Sequence, residues 1–242
     1  MLIKKIINKI RSYTCRLSNK SYISFLKSKG IVVGGGTKFR PFSTDIDLTR
    51  PSLVTIGSNC YFNEQFTILT HDWVTQVFIN SNRDFLPSSG KVTIGNNVST
   101  GQNVTILKGV TIGDNVFIGA NSVVTKDIPS NCIAVGSPCK MIMSLDEYYQ
   151  KRQIACIDEA LDYALSIQQR YGRKPVVADF WEEFPLFVDG DKIDQYAEIA
   201  SVIKRQLGPS YDRYVKHHKA KYANFEEFLQ AAGKHPTPIL SV

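Results

Sequence analysis

The groups best able to do chemistry in this chain gather around one histidine. His71 stands in Thr70-His71-Asp72-Trp73, just before a stretch of about 74–91 where Asn80, Ser81, Asn82, Pro87, Ser88, Ser89 and Gly90 interrupt any regular pattern. A hydroxyl is a poor nucleophile at neutral pH, and an imidazole, titrating near pH 6.5, is suited to remove its proton during attack. Asp72 and Glu64 are carboxylates able to orient such a ring or to bind acceptor hydroxyls. Asn63 and Trp73 are able to line the site of such a hydroxyl compound, with Arg83 and Asp84 reaching in from the loop. Taken alone, a histidine beside a loop is equally a surface residue, and carboxylates on turns are often solvated. His217 and His218 lie in a charged tail and read as solvated.

Other chemistries fit poorly. The five cysteines (Cys15, Cys60, Cys132, Cys139 and Cys156) are odd in number and lack C-x-x-C spacing. That pattern argues against a disulfide framework and a zinc site, so no metal is expected and a reducing compartment fits. Basic residues exceed acidic ones by 29 to 22, but the first thirty residues hold eight Lys/Arg and no Asp or Glu, leaving 21 against 22. A general basic face for nucleic acid is therefore unsupported, and nucleic acid is not an expected partner.

The element that positions His71 is a repeat of period six. Steps of six from Ile94 meet Ile94, Thr100, Ile106, Ile112, Ile118 and Val124, and the next positions hold Gly95, Gly101, Leu107, Gly113, Gly119 and Thr125. Glycine fills four of those six places although it makes up only 16 of 242 residues. A further column runs through Val98, Val104, Val110, Val116, Ser122 and Ile128. Earlier frames run through Ile56-Gly57, Phe62-Asn63 and Ile68-Leu69, with a weaker start at Val33-Gly34. Six matches neither the 3.6 period of a helix nor the two-residue period of a strand, so the chain turns once per repeat. Three units of strand plus corner close a triangular coil of 18 residues, with one aliphatic residue per face inside and successive coils stacked at about 4.8 Å. The glycines and the pairs Asn96-Asn97 and Asp114-Asn115 suit tight or positive-φ corners. The lapse at 74–91 reads as a loop thrown out from one coil.

The flanks differ. Leu2, Ile3, Ile6, Ile7 and Ile10 recur at helical spacing, predicting an amphipathic helix over about 2–28 that ends near Gly30. Its apolar stripe either lies on an anionic membrane surface or packs on this protein or a neighbouring subunit. Lys4, Lys5, Lys9 and Arg11 interrupt that apolar run, so neither a signal sequence nor a spanning helix is expected. The expected location is cytoplasmic, with peripheral contact at the inner face of the membrane left open. After Pro138, Ser144 and Glu147 form a capping box for a helix over 145–171, and further helical patterns lie near 191–207 and 224–233. The expected organisation is an N-terminal helix (1–30), a β-helix domain (31–143) and a helical C-terminal extension (144–242).

The stretch Ile94–Ile142, with its repeats, its VTKDIP element and its G-x-P-x-K segment, strongly resembles the hexapeptide-repeat acyltransferases, especially their galactoside, maltose and polysaccharide O-acetyltransferase branch. Ile56–Trp73 extends the likeness. The resemblance implies a mainly β fold, a left-handed parallel β-helix, assembled as a homotrimer with active sites between neighbouring prisms. It implies acetyl-CoA as co-substrate, a saccharide acceptor and His71 as general base. It also places acetyl-CoA along Gly101, Gln102, Gly119, Ala120, Thr125, Lys126 and Lys140, the lysines meeting phosphates. Two departures stand out. Where the galactoside and maltose enzymes carry a tryptophan in N-V-W-I-G, this chain has Asn97-Val98-Ser99-Thr100-Gly101, and a second basic position past the closing segment falls near Met143. O-acetylation of a polysaccharide, oligosaccharide or lipid-linked glycan precursor is the leading expectation. N-acetylation of a nucleotide-linked amino sugar and a noncatalytic scaffold are the alternatives.

Overall fold

A computed structural model describes residues 14–235 of the chain. The chain divides into two compact units, Met1–Tyr149 and Gln150–Val242.

The first unit is a parallel β-helix. Its strands are β1 (Val32–Val33), β2 (Asp45–Ile46), β3 (Val54–Ile56), β4 (Thr67–Ile68), β5 (Val92–Ile94), β6 (Val98–Thr100), β7 (Thr105–Ile106), β8 (Thr111–Ile112), β9 (Val116–Ile118), β10 (Val123–Val124), β11 (Cys132–Gly136) and β12 (Cys139–Ser144). They form three four-stranded sheets in the orders β1-β3-β5-β8, β10-β7-β4-β2 and β12-β11-β9-β6. Pairing between these strands is parallel except for β11 with β12, where the chain doubles back at the end of the helix. Ile94 pairs with Ile112, Ile106 with Val124 and Val98 with Val116, so the 18-residue coil is realised.

Each three-residue strand turns two side chains inward, not one. Val92 and Ile94 are both buried, and so are Val98 and Thr100, with Thr93 and Ser99 between them only half-covered. Strand alternation explains the count, since residues two apart share a face. Burying each such aliphatic side chain stabilises the fold by roughly 1.5–3 kcal/mol. Thr100 fits the interior because its Oγ1 accepts a hydrogen bond from the Asn63 N–H at 3.3 Å.

The corners divide the expected turn roles. Positive φ falls on the asparagines: 54° at Asn97, 56° at Asn103, 57° at Asn115 and 58° at Asn121, a conformation that a short polar side chain tolerates. Their amides stack between coils, Asn97 to Asn115 and Asn103 to Asn121, each at 2.9 Å. The repeat glycines serve close approach instead. A Cβ on Gly95 would lie 2.4 Å from Asp114 Oδ1 and 2.8 Å from the Gly113 carbonyl carbon on the next coil.

Helix α1 (Asn19–Lys29) ends at Gly30 with φ 104°. One continuous helix over 2–28 is not what forms: Ser18 is extended and caps a fresh start, its Oγ accepting from Ser21 N–H at 3.1 Å. Residues 1–13, where most of the apolar stripe falls, lie outside the described residues. Tyr22, Phe25 and Leu26 of α1 share one core with the prism, where Phe39, Phe62 and Phe66 stack at 5.1 and 4.2 Å.

The loop between coils contains a short helix, α2 (Thr75–Asn80). Its neck is pinned by an antiparallel bridge between His71 and Ser89 and by Gly90 N–H to Thr70 O at 2.9 Å.

The long helix α3 (Leu145–Tyr171) starts within the first unit, on the reciprocal Ser144–Glu147 cap, and most of its length belongs to the second. It is followed by α4 (Ala197–Leu207), α5 (Tyr211–His217) and α6 (Phe225–Lys234). Of the helical pattern expected near 191–207, the part up to Tyr196 is 3-10 rather than α, and α5 is an addition to the expected elements. Ala160, Ala164, Phe180, Phe187, Ile203 and Phe228 form the core of this unit. His218 is not a solvated residue: it stacks on Tyr214 at 4.2 Å and its Nε2–H meets Pro185 O at 2.7 Å, whereas His217 is exposed.

Gly95→Ala is expected to lower stability by about 1–3 kcal/mol in denaturant unfolding, because the added methyl meets the Gly113 backbone as well as the Asp114 carboxylate, and the backbone cannot move aside. Thr93→Ala, which faces outward two residues away, is expected to change it by less than about 0.5 kcal/mol. Equal effects would contradict the close-approach role.

Candidate functional site

Asp47, on the coil preceding His71, follows β2 as His71 follows β4, and Asp47 N–H bonds Ile68 O at 3.0 Å to bring the two corners level. From there the Asp47 carboxylate reaches His71, with Oδ2 at 2.6 Å from Nδ1. The same oxygen accepts from the Thr70 N–H at 3.2 Å and from the Thr70 hydroxyl, while Oδ1 accepts from Thr49 N–H at 2.8 Å and Thr49 Oγ1 at 2.6 Å. Burial pushes this carboxyl up. The Thr49 and Thr70 hydroxyls, the Thr49 amide and the imidazole outweigh it and hold Asp47 well below the usual carboxylate range. An ionised carboxylate only accepts, so Nδ1 carries the imidazole proton and Nε2 holds the lone pair.

His71 lines a cleft of about 390 Å³ with Thr49, Arg50, Trp73, Phe85 and Leu86. The Trp73 ring stands edge-on to the imidazole at 6.3 Å and 71°, and is largely exposed. A polar clasp lies at the loop neck. Asp72 Oδ2 pairs with Lys108 Nζ at 2.8 Å and accepts from Ser88 Oγ at 3.0 Å, while Oδ1 accepts from Val74 N–H at 3.1 Å. Lys108 first, then the Val74 amide and Ser88, hold the Asp72 carboxyl down to about 2.

The residues singled out from sequence therefore fall on two corners of the prism. His71, Asp72 and Trp73 share their corner with Thr125 and Lys126, two coils on, through the ladder Leu69–Ile106 and Leu107–Val124. Asn63 and Glu64 lie at the corner before β4, in the stack where Asn103 N–H bonds Glu64 O and Asn121 N–H bonds Gln102 O. Gly101, Gln102, Gly119 and Ala120 belong to that same stack. Lys140 is beside it, paired with Val135, whose side chain a Cβ on Gly119 would meet. Within one chain the orienting group is Asp47, and Glu64 and Asp72 do not take that place: Glu64 is on another corner and Asp72 is held by Lys108. Asn63 Oδ1 is engaged by Glu64 N–H at 2.9 Å, and Arg83 turns to Ser81 Oγ at 3.0 Å on the exposed loop. Ser99 stands between Tyr61 and Phe117 on adjacent coils of one face, so aromatic rings flank the position that lacks one.

Sequence reading missed Asp47, Thr49, Arg50 and Lys108. Asp47 and His71 are 24 residues apart, not one 18-residue coil, so an 18-residue step does not bring them together. Among the described residues no group of three or more His, Cys, Asp or Glu side chains converges on one point. Burial pushes the Cys60, Cys132 and Cys139 thiols up, away from thiolate chemistry.

Residues 91–126 match the family model described as bacterial transferase hexapeptide (six repeats). The chain is 36% identical over 126 residues to protein CapG of Staphylococcus aureus, an alignment covering 52% of this chain and 73% of that one. It is 30% identical over 148 residues to YvoF of Bacillus subtilis, named as an acetyltransferase, covering 60% and 78%. It is 42% identical over 102 residues to the galactoside O-acetyltransferase of Escherichia coli, covering 40% of this chain and 49% of that enzyme.

Because the folded Asp47 carboxyl titrates below its unfolded value of about 3.9, it contributes stability in full above that pH. The contribution is lost as pH falls through the folded value. Asp47→Asn removes this linkage, so acid unfolding followed by circular dichroism is expected to be shallower below about pH 4. Superimposable acid curves would refute the assignment.

Proposed function

Since the chain belongs to the hexapeptide-repeat acetyltransferases, we propose that it transfers acetyl from acetyl-CoA to a saccharide hydroxyl, with His71 as general base. The observation that carries this reading is the Asp47–His71 pair at 2.6 Å on the wall of a cleft. Asp47 holds the imidazole by Nδ1 and so presents Nε2 to an incoming hydroxyl. As the hydroxyl oxygen bonds to the acetyl carbonyl carbon, Nε2 takes its proton. When the carbon–sulfur bond breaks, the imidazolium returns that proton to the departing thiolate. Asp47 stays ionised throughout and stabilises the transient imidazolium.

Membership of this family supports a left-handed prism, and the division of site residues between two corners supports its assembly as a homotrimer. In that assembly, the corner bearing Asn63, Glu64, Gly101, Gln102, Gly119 and Ala120 of one copy faces the His71 corner of the next. Acetyl-CoA would then lie between copies, against small residues that let its arm approach backbone, with Lys126 and Lys140 meeting phosphates. The acetyltransferase name of YvoF and the galactoside O-acetyltransferase name of the Escherichia coli protein support acetyl transfer to a sugar oxygen.

His71→Ala is expected to abolish CoA release in an acetyl-CoA plus glycan assay, and undiminished turnover would sink the assigned base. The acetylated product should lose its acetyl group in mild alkali, as an ester does and an amide does not. Asp47→Asn is expected to reduce kcat by about 10²–10⁴ while moving both KM values only a few-fold. A change confined to KM would instead place Asp47 in binding.

A further inference from the structure

Three ionisable side chains line the cleft: His71, Asp72 and Arg50. Asp72 is neutralised by Lys108 at 2.8 Å and has further donors in Ser88 and Val74 N–H. Asp47, behind the imidazole, has a side chain only 5% exposed and already accepts from Thr49, Thr70 and His71. Arg50 differs from both. Its one hydrogen bond to another side chain is a long one, Nη1 to Thr49 Oγ1 at 3.4 Å, and no carboxylate among the described residues pairs with it. Its backbone is fixed, with φ −135° and ψ 62° ahead of Pro51, and its carbonyl accepts from Leu53 N–H at 3.0 Å. The Thr49 hydroxyl that it touches also bonds Asp47 and lies 3.4 Å from His71 Nδ1, so the guanidinium stands one residue from the proton-accepting unit. Trp73, Phe85 and Leu86 give the cleft apolar walls that are open to solvent.

Resting on the reading of His71 as base toward a saccharide, we infer that the acceptor is an anionic saccharide. Its carboxylate or phosphate ester is held by Arg50 beside the hydroxyl that His71 deprotonates. The guanidinium offers five donors in a planar fork that matches either group with two parallel bonds. The donor substrate does not account for Arg50. A thioester carbonyl at His71 leaves the nearest phosphate of CoA a full pantetheine arm away, whereas Arg50 lines the same cleft as His71.

The test is steady-state CoA release by the full chain with matched acceptors: uronate oligosaccharides against their carboxyl-reduced forms, and phosphorylated glycans against their dephosphorylated forms. The wild type is expected to favour the charged member of one pair by about ten- to a hundredfold in kcat/KM, and which pair responds identifies the anion. Arg50→Gln should bring that ratio to about one, and Arg50→Lys, which keeps the charge but not the fork, should leave a partial preference. The KM for acetyl-CoA should stay within about twofold, with melting temperature confirming that both variants are folded. Equal use of charged and neutral acceptors, or a preference that survives Arg50→Gln, overturns the inference while leaving the base assignment intact. A raised KM for acetyl-CoA instead of lost discrimination assigns Arg50 to the donor and also overturns it. Acetylation of no glycan in the panel counts against the saccharide reading itself.

Discussion

Backbone hydrogen bonding between successive coils is the constraint from which the first unit follows. Each short strand satisfies its amides and carbonyls only by meeting the strand one coil above or below, as Gly95 N–H does with Ile112 O at 2.8 Å. Unpaired backbone groups in a buried wall are costly, so the register is strict. That strictness dictates side-chain size at the corners. Coils stacked this closely leave no room for a Cβ at Gly95, and amide side chains at Asn97, Asn115 and Asn131 stack into a ladder of their own at 2.9 and 2.8 Å.

The same constraint explains where chemistry is placed. An insertion breaks the ladder unless it leaves and rejoins at a corner. Side-chain contacts between neighbouring coils are 18 residues apart from Asn97 to Asn115 and 16 apart from Asn115 to Asn131, but 38 apart from Ser58 to Asn96, on either side of the loop. His71 stands where that loop departs, and Ser89 where it returns, joined by a bridge. The register that holds the neck also sets Asp47 below the imidazole. A rigid scaffold thus fixes the orientation of the imidazole, while Trp73 at the loop's departure and Phe85 and Leu86 within the loop line the cleft.

The β-helix was legible in the sequence because a period of six in aliphatic residues and glycine has few other physical explanations. The inward pair on each three-residue strand was not, since six-residue stepping marks one buried column at a time. The break at Ser18 escaped notice because the apolar stripe before it suggested continuity, whereas a serine able to accept the Ser21 N–H starts a new helix. The short helix Thr75–Asn80 lies in a segment whose composition resembles a loop, and six residues are too few for periodicity to register.

The sequence by itself determined the coil, its corners, its end near Pro138, and His71 as the residue at the base of the insertion. It did so because those features repeat or interrupt a repeat. Only the tertiary structure decided which carboxylate orients the imidazole, which lysine clasps the loop neck and which cation in the cleft has no carboxylate partner among the described residues. Asp47, Lys108 and Arg50 come from coils of unequal length. Their neighbours are settled by backbone register between coils, a relation across the stack that spacing along the chain does not encode.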